Sequence, residues 1–305
     1  MAIMLIWPQM VINTCAQDII TRKKNNQSIK NNPKNEVKRN QREKNKKKHE
    51  KEKIRQQREA DTEPAAQAVT PTKPQLGAVF QDLINNMVHV EGGTFIMGDS
   101  TKRNTRWSTY LEAPAHQVTV SSFSIGKYEV TQKEWCAVMG SNPSSFIGDN
   151  LPVDSVSWMD CQMFIDKLNT ITGMNFRLPT EAEWEFAARG GNKSQGYMYA
   201  GSNMIESVAW YKDNGQNRIH PVGTKSPNEL GLYDMSGNVW EWCYDWFKLY
   251  DSSPQHNPVG PSSGETRVVR GGSFCNEANQ LQILIRYGSG PNNHDNYQGF
   301  RLVCE

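Results

Sequence analysis

Short apolar runs broken by glycine dominate the folded part of this sequence and predict its strands. Residues 88–98 predict two strands about a glycine turn, and residues 116–120 and 123–125 predict two more, the first with alternating polarity. Near the C-terminus, residues 268–274 and 299–303 have the same β-type character. These runs predict a domain built from several small strands.

Apolar residues at helical spacing occur in three places, each behind an N-capping residue. Two of these places carry a capping box, in which a Ser or Thr is followed three residues later by an acidic residue, and they predict helices over residues 131–139 and 157–168. A third helix is predicted from Thr180 to the glycine pair at 190–191. Short strands combined with capped helices indicate an α+β domain.

Residues 192–261 are dense in Gly, Asn, Pro and aromatic residues and contain few periodic segments. A region of this kind must be fixed by packing, and aromatic rings bury a large area per residue. We expect that role for Trp210, Tyr211, Tyr233, Trp240, Trp242, Tyr244 and Trp246.

Charge is unevenly distributed along the 305 residues, although the net charge is only +2. Residues 22–58 contain 16 Lys or Arg against 4 Asp or Glu, so the rest of the chain carries a net charge of about −10. Residues 21–75 hold almost no large apolar side chains to offset the entropy of ordering, which predicts a disordered basic linker. Nucleic acid is not the favoured partner, because no aromatic residues alternate with the lysines as stacking platforms.

An apolar run opens the chain within residues 1–20. It is too short to span a bilayer but suits the hydrophobic part of a secretion signal. Cys15 follows the run as in a bacterial lipoprotein signal, which predicts a lipid anchor on Cys15 at the cell surface or outer membrane. The match departs at Thr14, where a small residue is usual, and no Lys or Arg precedes the run. The alternative is that the signal is absent.

The segment from residue 275 to residue 297 is irregular but is flanked by β-type runs on both sides. Asparagines are scattered through it, and Gly288, Gly290 and Pro291 argue against regular structure after Tyr287. Binding loops are commonly mounted in this way on rigid scaffolds. A surface loop with no binding role would have the same composition.

Seven phrases occur in order along the chain: VEGGTFIMG, YEVTQKEW, PVDSVSW, FRLPTEAEWEFAARG, GLYDMSGNVWEW, RGGSF and GFRLV. Together they resemble the formylglycine-generating-enzyme (sulfatase-modifying factor) domain family over residues 86–304. The resemblance implies one α+β domain over residues 76–305 with a C-type-lectin-like fold. Such a fold is loop-rich, with small antiparallel sheets and two to three helices.

The enzymes of this family use two cysteines, at the third and eighth residues beyond the serine of RGGS, to bind copper and activate oxygen. Those positions here hold Asn276 and Leu281, and neither supplies the thiolate that copper(I) prefers. We therefore expect no copper and no enzyme activity. The alternative is a copper oxidase acting on protein cysteines, with Cys275 one residue before the first of these positions.

The family resemblance also implies a structural calcium ion beside the GNxWEW phrase. The matching positions are Asp234 and Glu241 by side chain, and Gly237 and Val239 by backbone carbonyl. Hard oxygen ligands from a loop suit calcium. A carboxylate pair hydrogen-bonded to loop amides would explain the same residues without a metal.

A second resemblance concerns the C-terminal segment, which is similar to the variable region of proteins diversified by retroelements, a treponemal variable lipoprotein among them. It implies a monomeric, non-catalytic surface protein that binds a protein or glycan ligand, with a structural envelope lipoprotein as a further alternative. The expected contact residues provide apolar area and directed hydrogen bonds. They are Cys275, Asn276, Asn279, Leu284, Ile285, Tyr287, Ser289, His294, Asp295 and Tyr297.

Overall fold

The structure, a computed structural model, describes residues 75–102 and 110–304. Residues 1–74, which hold the predicted signal with Cys15 and nearly all of the predicted linker, lie outside the described residues. No described helix combines the length and the apolar character needed to cross a membrane.

The described residues form five α-helices and eleven short strands. The helices are α1 (Gln75–Asn85), α2 (Gln132–Met139), α3 (Trp158–Thr172), α4 (Glu181–Ala188) and α5 (Ile205–Val208). The strands are β1 (Met87–Val90), β2 (Gly93–Met97), β3 (His116–Val120), β4 (Phe123–Gly126), β5 (Phe176–Arg177), β6 (Trp240–Trp246), β7 (Gln255–His256), β8 (Arg267–Arg270), β9 (Arg286–Ser289), β10 (Gln298–Gly299) and β11 (Val303–Cys304).

Three of the helices begin where the sequence predicts. Thr131, Ser157 and Thr180 cap α2, α3 and α4, and each hydroxyl accepts a hydrogen bond from the backbone N–H three residues later. Each helix also has an acidic residue that closes the capping box. The sequence did not predict α1 or α5.

The strands form three small sheets rather than one. Their orders are β1-β4-β11-β5, β2-β3-β7 and β10-β6-β8-β9. The two strands predicted in residues 88–98 both exist, but β1 pairs with β4 and β2 pairs with β3. Gly92 lies between them, where an added Cβ would come within 2.6 Å of the Val120 carbonyl oxygen, so the chain can change sheets only at a glycine.

Helix α4 lies at the centre of the domain and packs against β2, β3, β6 and β8. Its Trp184 and Phe186 side chains are buried in the main apolar core. A second apolar cluster, built around Tyr199, Tyr211 and Leu281, lies apart from this core. The sheet β10-β6-β8-β9 therefore packs against α4 through β6 and β8. The irregular segment between β8 and β10 contributes β9, which is the edge strand of this sheet.

Candidate functional site

The chain between β8 and β10 is fixed by a buried arginine. The guanidinium of Arg270 is fully buried and donates from Nη1 to the carbonyl oxygens of Leu284 at 3.0 Å and Ile285 at 2.7 Å. Its Nη2 forms an ion pair with the buried carboxylate of Glu185 on α4. Because a buried charge must be paired and hydrogen-bonded, this arrangement holds the segment's backbone against the core.

The buried side chain of Asn276 links the start of the segment to β6 through hydrogen bonds. Its Oδ1 accepts hydrogen bonds from the Ser273 N–H at 3.0 Å, the Ser273 hydroxyl at 2.6 Å and Trp240 Nε1 at 2.9 Å. The Lys212 N–H donates to the Asn276 carbonyl at 3.0 Å. The side chain therefore ties the loop to β6 from inside.

Three of the predicted contact residues are buried. Asn276, Ser289 and Tyr297 expose 5%, 3% and 2% of their surface. This corrects the prediction that they contact a ligand, because an asparagine, a serine and a tyrosine that hydrogen-bond or pack inward have no accessible atoms left to offer. Their composition matched a contact surface, but their orientation could not be predicted from it.

The other seven predicted contact residues keep accessible side chains. Asn279 and His294 are exposed, and Cys275, Leu284, Ile285, Tyr287 and Asp295 are half-buried. We call these seven residues the recognition set.

Trp240 on β6 connects the two halves of the segment. Its ring packs edge-on against Tyr287, with 5.3 Å between the ring centroids, and its backbone N–H donates to the Tyr297 carbonyl at 2.8 Å. The second half of the segment lies against the start of α3. There His294 Nε2 is 2.8 Å from an Asp160 oxygen, and the Ser155 N–H donates to the Asp295 carbonyl at 3.1 Å.

Two exposed methionines outside the segment were missed by sequence reasoning. Met198 and Met204 expose 49% and 68% of their surface. The Ile283 N–H donates to the Met198 carbonyl at 3.0 Å, so Met198 neighbours the segment directly. Their position in a loop of mixed polarity gave no pattern from which this placement could be predicted.

The two positions to which the resemblance assigns cysteines, Asn276 and Leu281, have structural surroundings here. Asn276 accepts hydrogen bonds from Ser273 and Trp240 through Oδ1. Leu281 is fully buried and packs in the second apolar cluster. The amide of Asn276 and the alkyl side chain of Leu281 contain no sulfur, so neither is a soft ligand for copper.

The residues predicted to bind calcium surround an internal ion pair. Both oxygens of Glu241 accept hydrogen bonds from Arg301, at 2.6 and 2.7 Å, and Oε2 also accepts from Trp184 Nε1 at 2.7 Å. Asp234 accepts from the Gly223 N–H at 2.7 Å through Oδ2. Its Oδ1 is buried and has no hydrogen-bond partner among the described residues.

Carboxyl groups outnumber cations around this ion pair. Glu129, Asp234 and Glu241 are all buried and face the one guanidinium of Arg301. Burial and the neighbouring Asp234 and Glu241 carboxylates raise the pKa of Glu129 well above its ordinary value. Burial also raises the pKa of Asp234 to about 6. The described residues contain no group of three or more His, Cys, Asp or Glu side chains arranged to hold a metal ion. The unpartnered oxygen of Asp234 fits a hard cation, whereas Glu241 is already committed to Arg301.

Comparison with known proteins gives the family and its relatives. The sulfatase-modifying factor enzyme 1-like domain matches residues 72–305. Chaperone protein LppX of Paenibacillus barcinonensis is 36% identical over 269 residues, which covers 72% of this chain and 89% of that protein. A formylglycine-generating enzyme of Thermomonospora curvata is 29% identical over 296 residues, which covers 74% of this chain and 95% of the enzyme.

A solved structure supports both resemblances inferred from the sequence. Treponema denticola variable protein 1 is 31% identical with a TM-score of 0.66, and the match covers 72% of this chain and 94% of that structure. The loop-rich α+β fold is thereby confirmed. The chain belongs to the sulfatase-modifying factor enzyme 1-like domain family.

Proposed function

We propose that this protein is a non-catalytic binding protein that recognises a partner protein through the recognition set. The observation that carries the proposal is the environment of Asn276. At a position where the family's enzymes hold a metal-binding thiol, this chain has an amide whose oxygen accepts three hydrogen bonds from its own framework. That position serves the loop's structure and offers no reactive group.

A protein partner suits the chemistry of the recognition set. Leu284, Ile285 and Tyr287 are half-buried and supply apolar and aromatic area, and the exposed Met198, whose carbonyl accepts from the Ile283 N–H, adjoins the segment. Aromatic residues and methionine are enriched in protein interfaces, and polar residues around them direct hydrogen bonds.

The backbone that carries the set is held by groups outside the set. Arg270 binds the carbonyls of Leu284 and Ile285, Asn276 binds Trp240, and the Met159 N–H donates to the Pro291 carbonyl at 3.4 Å. Substitution within the set therefore changes specificity without moving the loop, as in a segment diversified by a retroelement. A pre-ordered loop also reduces the entropy cost of binding.

The protein acts as a monomer at the cell surface or outer membrane, anchored through Cys15. A chaperone role is the second candidate, favoured by the 36% identity to a chaperone protein. In that case the partner would be an incompletely folded protein, and the same surface would bind it.

An oxygen-electrode assay tests the non-catalytic part. Purified protein supplied with copper(I) and a cysteine-containing peptide should consume no more oxygen than copper and peptide alone. A formylglycine-generating enzyme run in parallel provides the positive control. Peptide-dependent oxygen uptake that disappears in Cys275→Ser would contradict the proposal and favour a copper oxidase.

We also propose that a calcium ion with a structural role binds in the loop before β6. Asp234 and the carbonyl oxygens of Gly237 and Val239 would hold it, and Glu241 would bind it only through an oxygen that already accepts a hydrogen bond from Arg301. The ion would offset the excess of buried carboxylates. It would stabilise the loop before β6 and take no part in recognition.

A further inference from the structure

A cavity of about 310 Å³ lies beneath β9 on the side away from Tyr287. It is lined by residues from the end of β6, the start of α4 and the stretch 248–261, and by Arg286 of β9. Successive residues of a strand point to opposite faces, so Arg286 faces this cavity while Tyr287 packs on Trp240. The cavity and the recognition set are therefore separate sites.

Asp245, at the end of β6, lines the cavity with one oxygen unengaged. The residue exposes only 5% of its surface, and its Oδ2 accepts a hydrogen bond from the Glu181 N–H at 2.9 Å. Within the described residues no hydrogen bond reaches Oδ1, and Asp245 forms no ion pair. A Cβ built on Gly260, another lining residue, would lie 3.2 Å from Oδ1, which places this oxygen on the cavity side.

The neighbouring charges are paired with one another and leave Asp245 without a cation. Glu181 receives two hydrogen bonds from Arg286, both at 2.6 Å, and one from the Tyr250 hydroxyl at 3.0 Å. Burial and the charge of Glu181 raise the pKa of Asp245 to about 8, Glu183 adds to this rise, and Arg286 opposes it.

A second hydrogen-bond acceptor lines the same cavity. His116 is 4% exposed, and its Nδ1 lies 3.2 Å from the Pro114 carbonyl oxygen. A carbonyl can only accept, so in the neutral ring Nδ1 carries the proton and Nε2 keeps its lone pair. Two residues that line the cavity thus carry an acceptor atom, and the exposed Lys248 and Asp251 line it as well.

We infer that this cavity binds a small organic ammonium ion with an apolar body. An ammonium group offers several N–H donors and is the positively charged partner that the Asp245 carboxylate lacks. His116 would accept a further hydrogen bond from it. Trp246, Leu249 and Val259 provide apolar walls for the rest of the ligand. A buried carboxylate that gains such a partner is stabilised in its ionised form.

Calorimetric titration with benzylamine and its neutral analogue benzyl alcohol tests this inference at pH 7. Benzylamine should bind at least about tenfold more tightly, a difference of about 1.4 kcal/mol. Titrations in two buffers of different ionisation enthalpy should show proton release, because Asp245 gives up its proton to pair with the ammonium group. Asp245→Asn should remove both the preference and the proton release.

A matched control is Asp166→Asn, which removes an exposed carboxylate on α3 and should leave both effects unchanged. Val259→Trp, at a position 53% exposed at the cavity wall, should weaken binding of both probes without altering Asp245. It serves as the second test should Asp245→Asn fail to fold. Equal affinity for the two probes, a preference that survives in Asp245→Asn, or no benzylamine binding up to about 20 mM would overturn the inference.

Discussion

Single residues determine how the segment between β8 and β10 is held in this domain. Asn276 is the clearest case, because its side-chain Oδ1 accepts hydrogen bonds from Ser273 and Trp240, which are three and 36 positions away in sequence. From the sequence, asparagine in an irregular segment predicts a contact residue. The burial of Asn276 depends on β6 and could be found only once the indole of Trp240 was placed against it.

Asn276→Ala should reduce the free energy of unfolding by about 2 to 4 kcal/mol. The substitution leaves the Trp240 Nε1–H and the Ser273 N–H buried without acceptors, and each such loss costs about 1 to 3 kcal/mol. Asn279→Ala, in the same loop but exposed, should change it by no more than about 0.5 kcal/mol. Chemical denaturation measures the free energy of unfolding of both variants. An equal loss in the two would show that the hydrogen bonds of Asn276 do not stabilise the loop.

At the scale of elements, the sequence predicted what local signals specify. The capped helices α2, α3 and α4 follow from a hydroxyl and an acidic residue three positions apart, and all three were confirmed. The strand β6 was missed although aromatic residues occupy every second position of WEWCYDW, because the run lies within a stretch dense in Gly, Asn and Pro that predicts loops. The buried carboxylate of its Glu241 is paired with Arg301, 60 positions further along the chain, which no local pattern predicts.

The loop before β6 should make stability depend on pH and on calcium. The pKa of Asp234 is raised in the fold from 3.8 to about 6. The stabilisation from its protonated form is therefore complete below about pH 4 and is lost as the pH rises through 6. Calcium binds the ionised carboxylate, so it should raise the melting temperature more at pH 7.5 than at pH 5.

Scanning calorimetry in calcium and in a chelator measures this effect, with Asp234→Asn as the matched variant. The amide cannot ionise, so the variant should lose the part of the pH dependence that Asp234 contributes, together with the calcium response. A wild-type melting temperature that calcium leaves unchanged at pH 7.5 would show that the carboxyl cluster is satisfied by protonation and binds no ion.

The whole domain combines a rigid interior with a replaceable surface. Buried ion pairs of Arg270, Arg286 and Arg301 with carboxylates of α4 and β6 fix both ends of the segment. The family, the fold class and the likeness to a variable protein were predicted from ordered sequence phrases. The division of the ten predicted contact residues into seven accessible and three buried side chains was not, because it depends on which way each residue turns against Trp240 and α3.

Site-specific photo-crosslinking tests whether the recognition set contacts a partner protein. A photoreactive amino acid replaces Asn279 or Ile285 in the full chain, or Asp251 as an exposed control at the edge of the cavity, in cells that produce the protein. Positions 279 and 285 should yield the same discrete protein adduct, and a His294→Arg exchange within the recognition set should abolish it while the melting temperature is retained. An adduct formed from position 251 alone, or one that survives the exchange, would contradict recognition through this segment.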